Sequence, residues 1–272
     1  MLPVTPARER RGLTLLELVV VLTILVAIGA LLVPLLPNFI HRSNIASCVV
    51  NITEMDKLIQ TYSNLYAEFP DKLDNLVKND GNLPTYVAAG DYPEGTGQKS
   101  FAPGDLTAAE ATALKEAGIT SVCRLVEDAG GDWKPTFWPY NASLSTPPTL
   151  DDVDDTLKPA VLTATGAQLM GLPYSANYKY VIFGVNSPCT LFRNLAAEPA
   201  YHFADTPTED PATYYMCLGV VFAVKIEADG VARVPDEAKY MGCVAFHDFG
   251  LSTAGMHTKE WWERLKSERP MK

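Results

Sequence analysis

Histidine is scarce, with four in 272 residues, and the cysteines show no CxxC pair or Cys/His spacing, so neither a zinc site nor a thioredoxin-like motif is supported. No GxSxG, P-loop or HExxH is present, and no GxGxxG opens a helix after a strand, so the common hydrolase, nucleotide and metalloprotease chemistries have no starting point. The chain reads as a non-enzyme without a cofactor. Surplus positive charge is lacking too: the formal net charge is −10, and a surface that tracks phosphates does not fit it. Nucleic acid is not an expected partner. No tandem repeat or low-complexity tract is evident.

What is present is ample apolar material, 47% of residues, enough for one sizeable domain or two small ones. Charge is unevenly spread. Arg8, Arg10 and Arg11 against Glu9 make the first twelve residues net +2, which leaves the rest at −12. By the positive-inside rule the basic tip stays cytoplasmic and the acidic body is translocated. Disulfides then become possible among Cys48, Cys123, Cys189, Cys217 and Cys243. Cys48 falls in a helical pattern, and the other four allow three connectivities, none of them favoured by sequence. An odd count leaves at least one thiol free or paired between chains.

From Leu13 to Leu36 the only charge is Glu17, and Thr14 and Thr23 are the only other clearly polar residues. As one helix these residues would cover about 36 Å, against a hydrocarbon core of about 30 Å, so a transmembrane helix is expected over residues 13–36. An ordinary signal peptide keeps charge out of its apolar run and is cut after it. Glu17 instead lies inside the run, where an ionised carboxylate at the bilayer centre would cost about 2.5–3.5 kcal/mol. An acid in that position marks a functional residue.

The residues Arg10-Arg11-Gly12-Leu13-Thr14-Leu15-Leu16-Glu17-Leu18-Val19-Val20-Val21-Leu22 closely resemble the cleavage and methylation motif of type IV prepilins and type II secretion pseudopilins. The resemblance ends with the apolar run and its exit. It implies that a prepilin peptidase cuts between Gly12 and Leu13 and methylates the new amino group of Leu13, where the family usually has Phe or Met. It also implies that Glu17 pairs with the Leu13 amine of a neighbouring subunit during assembly. Cleavage creates that cation four residues away, and a membrane-buried acid needs such a partner. Pro34 and Pro37 should kink or locally unwind the helix. The resemblance implies local melting at Pro34 in a filament, while the plainer alternative is that the two prolines end the membrane helix.

Beyond the run, Asn38 caps a new helical segment. Ile45, Val49, Ile52, Ile59, Tyr62 and Tyr66 then recur at three- and four-residue steps, with one gap filled by Met55 or Asp56. Such a stripe needs a sheet to cover it. Glu68-Phe69-Pro70-Asp71 ends that helix. Gly and Pro clusters at 90–97, 103–104, 130–131 and 147–148 mark loops. Thr107 with Glu110 reads as a capping box opening a helix that stops at Gly118. Strands are expected at Ser121–Val126, Tyr178–Val185, Tyr215–Ile226 and Gly242–Phe246.

The expected fold is α+β: a long N-terminal helix, transmembrane in one half and amphipathic in the other, packed on an antiparallel β-sheet head with loop insertions. The expected divisions are a leader (1–12), the membrane helix (13–36), an amphipathic stem (37–68) and an extracytoplasmic head (69–272). Asp151-Asp152-Val153-Asp154-Asp155 suits calcium by its hard oxygens but lacks the EF-hand glycine and terminal glutamate, and reads better as a solvated loop. His202 with Asp205, and His247-Asp248, read as ordinary rather than metal-ligating residues. Trp261, Trp262 and Leu265, on a helix capped by Thr258, read as docked on the head rather than as an interfacial anchor.

The expectation for function is a pilin- or pseudopilin-like structural subunit, specialised rather than major, held in the cytoplasmic membrane. Its partners are the prepilin peptidase and other pilin subunits. The alternatives are a membrane-tethered binding protein that never polymerises and an extracytoplasmic enzyme on a stalk. Glu17 separates the first from the others, because neither an anchor nor an enzyme needs an acid there.

Overall fold

The computed structural model describes residues 15–32, 36–84, 99–127, 133–135, 149–172, 174, 177–195, 217–225, 238–247 and 250–252. The chain divides into two compact units, Met1–Ser43 and Asn44–Lys272.

The first unit holds helix α1 (Leu15–Leu32) and the opening turns of α2 (Leu36–Tyr66). This corrects the expected single long helix. Eighteen residues of α1 rise about 27 Å, short of a hydrocarbon core of about 30 Å. Among the described residues no helix is long and apolar enough to cross a membrane. Residues 33–35, between the two helices, lie outside the described residues. Pro37 lies in the first turn of α2, where a missing N–H costs nothing. Pro34, and with it the expected kink, lies outside the described residues.

The second unit is mostly sheet. Its strands are β1 (Leu73–Asp74), β2 (Phe101–Pro103), β3 (Ser121–Cys123), β4 (Leu125–Glu127), β5 (Trp133–Pro135), β6 (Leu150–Asp152), β7 (Ala160–Leu162), β8 (Tyr178–Val185), β9 (Leu218–Lys225), β10 (Lys239–His247) and β11 (Gly250–Ser252). Among the described residues three short helices join α2: α3 (Ala108–Glu116), α4 (Ala164–Leu169) and α5 (Thr190–Asn194). Nine strands form one sheet in the order β11-β10-β9-β8-β1-β3-β6, with β2 on β7 and β7 on β8, while β4 and β5 pair separately.

The sheet is mixed rather than antiparallel as expected, because β1 runs parallel to β3. A parallel pair needs a long crossover, usually helical, and the stretch between these strands contains α3. Thr107 and Glu110 close that helix's capping box, and Gly118 follows it at φ +100°.

Alternation along the central strands splits the core in two. Val181, Phe183 and Val185 of β8 join Leu218, Val220, Phe222 and Val224 of β9 beneath α2, α3 and α5. Tyr180, Ile182, Val221, Ala223 and Val244 face the other way, toward α4 and β2. A bulge between Tyr240 and Gly242, with Gly242 at φ +131°, inserts one residue into β10. It therefore turns both Tyr240 and Cys243 toward α2.

The stripe of α2 is Cys48, Ile52, Met55, Ile59 and Tyr62, all buried at alternating steps of four and three. Val49 is only half-buried and Tyr66 is exposed, so the expected stripe was displaced by one residue at its start and ran one turn too far. The helix stops where Ala67 enters the left-handed region at φ +57°.

Candidate functional site

In the first unit the chemistry is that of an uncovered apolar helix. Eleven large aliphatic side chains of α1, from Leu15 (82% exposed) to Ile28 (48%), face outward around its circumference. The hydroxyl of Thr23 is turned inward, donating to the Val19 carbonyl at 2.8 Å. Glu17 sits exposed in the first turn, where the positive end of the helix dipole favours an acid. Of the processing, assembly and kink residues singled out by sequence, Glu17 is described, and Gly12, Leu13 and Pro34 lie outside the described residues.

In the second unit three polar arrangements hold the head together. The Asp71 carboxylate accepts from the amide and hydroxyl of both Thr120 and Ser121, at 2.8–3.1 Å. The Asp71 amide donates to Thr190 Oγ1 at 2.9 Å, and its carbonyl accepts from the Thr190 amide at 3.0 Å. One residue thus ties the end of α2, the start of β3 and the start of α5. At the bulge, the Tyr240 hydroxyl donates to Asp56 Oδ1 at 2.6 Å and lies 3.0 Å from Cys243 Sγ. Burial pushes the Tyr240 hydroxyl and the Cys243 thiol up from their ordinary values. Finally, Lys179 joins the buried Glu110 of α3 and the Asp105 carbonyl. Sequence reading missed all three, and the only trace was Asp56 as a rival to Met55 in the stripe.

A polar cleft of about 560 Å³ opens beside β6, lined among others by Lys78, Arg124, Asp151, Asp154 and Lys158. Asp151 and Asp154 of this cleft are each turned to a protein donor. Asp151 takes the Arg124 guanidinium through both Nε and Nη2. The Thr156 hydroxyl and amide hold the Asp154 carboxyl below its usual range. Among the described residues no group of three or more His, Cys, Asp or Glu side chains is placed to hold a metal ion. Arg124 also explains why the expected strand Ser121–Val126 is two: its amide binds the Thr149 carbonyl between β3 and β4. His202, Asp205, Asp248 and the Trp261–Trp262 segment lie outside the described residues, and the His247 side chain does too.

No family model, curated protein or solved structure matches this chain.

Proposed function

We propose that the chain is a pilin- or pseudopilin-like structural subunit, made as a precursor, cut between Gly12 and Leu13 by a prepilin peptidase, and assembled through its N-terminal apolar segment. The observation that carries the reading is α1: an apolar surface on all sides, with one acid in its first turn, at the spacing from Gly12 that the prepilin motif requires. Before assembly the apolar segment holds the chain at the cytoplasmic membrane, with the basic tip on the cytoplasmic side and the acidic head outside. Glu17 pairs with the Leu13 amine of the next subunit, and the head selects partners. The size of the head suits a specialised component.

Co-expression with a prepilin peptidase tests this reading. The mature chain is expected to lose twelve residues and to begin at Leu13, with Glu17→Ala leaving the cut intact but weakening subunit cross-linking. A cut after the apolar run, near Ala30, would make this an ordinary secreted protein. The polar cleft beside β6 favours a second reading, a membrane-tethered binder that does not polymerise. Cross-linking undiminished by Glu17→Ala would put it ahead.

A further inference from the structure

Among the described residues the sheet ends at β6, and the backbone hydrogen bonds fix which way the open side of that strand faces. Arg124 donates its amide to the Thr149 carbonyl at 2.9 Å and Val153 donates to the Thr120 carbonyl at 3.1 Å, so Thr149, Asp151 and Val153 turn their amides and carbonyls toward β3. Leu150 and Asp152, opposite Cys123 and Ser121, turn theirs away. On the far side of β3 the ladder continues, with the Ser121 and Cys123 carbonyls accepting from the Lys72 and Asn75 amides at 3.1 and 2.9 Å. No group among the described residues pairs with the outer amides and carbonyls of Leu150 and Asp152. They form two donor and acceptor pairs about 7 Å apart along the strand. All three residues of β6 also line the cleft of about 560 Å³, so space lies open against the strand.

Charge decides what fits there. The cations of the cleft already stand beside carboxylates: Arg124 beside Asp151, Lys78 beside Asp80 at 3.1 Å, and Lys158 beside Asp105 at 3.8 Å. Among the described residues Asp152, Asp154 and the exposed Asp155 have no cation within ion-pair distance. Edge strands are commonly guarded against pairing by their charges, and here the guard has one sign. A second copy adding its own β6 antiparallel would set Asp151 opposite Asp151, and like charges directly opposite are destabilising. A basic strand meets no such penalty.

We propose that the outer edge of β6 docks an extended segment of a partner protein, added as a further strand and carrying lysine or arginine at alternate positions, one of them beside Asp152. Main-chain bonds to Leu150 and Asp152 hold the segment, and the unpaired aspartates select its charge. Such a strand can dock on a filament subunit and on a tethered binder alike, so the proposal stands apart from the assembly reading.

The probe is a fluorescent heptapeptide alternating lysine and valine, titrated into the full chain in detergent and followed by anisotropy. Binding is expected, with hydrogen exchange slowed at the Leu150 and Asp152 amides and unchanged at Asp151 and Val153, whose amides β3 already holds. A peptide of the same charge with methylated backbone amides should not bind, and one alternating glutamate and valine should bind about tenfold more weakly or worse. Leu150→Pro removes an amide that faces away from β3, so the fold should survive while binding weakens about fivefold, the net worth of one hydrogen bond. Asp152→Asn keeps the strand and removes the charge, and should weaken binding and reduce its salt dependence. Failure of the lysine peptide to bind overturns the proposal, as does equal binding of the methylated peptide, which would leave charge alone. Leu150 and Asp152 amides already protected in the free chain would mean that the chain covers its own edge. A dimer in sedimentation that Leu150→Pro dissolves would make a second copy the occupant, and either result overturns the proposal too.

Discussion

Alkaline pH should unfold the reduced head through its buried thiols. Burial pushes Cys189 and Cys243 up to about 12 from an ordinary value of 9.0, and raises Cys123 as well. A raised value in the folded state means that the unfolded thiol releases its proton first. Their contribution to stability is therefore whole below pH 9 and falls as the pH rises toward 12. By linkage each such thiol costs a little over 1 kcal/mol by pH 10, or about 4 kcal/mol for the three. That is a large part of a domain stability of about 5–15 kcal/mol. Tyr240, raised from 10.0 by burial, adds to the loss only above pH 10. The assay is urea unfolding of the reduced protein at pH 7, 9 and 10, beside a variant with Cys123, Cys189 and Cys243 replaced by Ala. The comparison cancels lysine and tyrosine titration, which both proteins share. The wild type is expected to lose about 4 kcal/mol more than the variant between pH 7 and 10. Parallel losses would mean that the thiols are not protected by the fold.

Three further outcomes test the packing. Asp71→Ala removes the carboxylate that binds Thr120 and Ser121 and should lower stability by about 2–3 kcal/mol in chemical denaturation; a change within error would show that water replaces it. Tyr240→Phe breaks the link between α2 and β10 and should cost about 2 kcal/mol, with the amides of Asp56–Ile59 exchanging faster by hydrogen–deuterium mass spectrometry; unchanged exchange there refutes the link. A chain beginning at Asn44 should fold cooperatively, whereas one beginning after Glu68 loses the buried stripe of α2 and should aggregate; cooperative folding of the shorter chain would make the stripe a subunit interface.

Local signals were legible where one chemical rule acts alone. The capping box at Thr107 and Glu110, the stop at Gly118 and the strand Tyr178–Val185 each follow from short-range preferences, and the structure has all three. The longer-range failures have a common cause. A parallel β1–β3 pair leaves no mark on two residues, Leu73 and Asp74, because register and direction are set by what lies between the strands. The shifted stripe has a plainer origin. Cysteine packs as a small hydrophobe, and Cys48 belongs to the core, but its thiol drew attention to bonding instead of burial. Asp71 and Tyr240 were illegible because their partners lie about 50 and 184 residues away in sequence.

The apolar N-terminal unit poses a different question, because its surface is uncovered and the nature of the cover decides its role. Removing apolar surface from water is worth about 25 cal/mol per Å², so covering eleven aliphatic side chains, the least exposed at 48% and the most at 82%, is worth on the order of tens of kcal/mol. That exceeds the roughly 2.5–3.5 kcal/mol cost of an acid deep in hydrocarbon several times over. Glu17 therefore does not decide whether α1 is covered; it decides by what. Lipid or detergent would leave its cost in full, and a plain anchor would be improved by replacing it. A neighbouring chain that brings an amine to the same depth offsets the cost, and does so only when the two chains are in one register. On the proposed reading the aliphatic residues supply affinity without selectivity, and the single acid supplies the register along which copies can add.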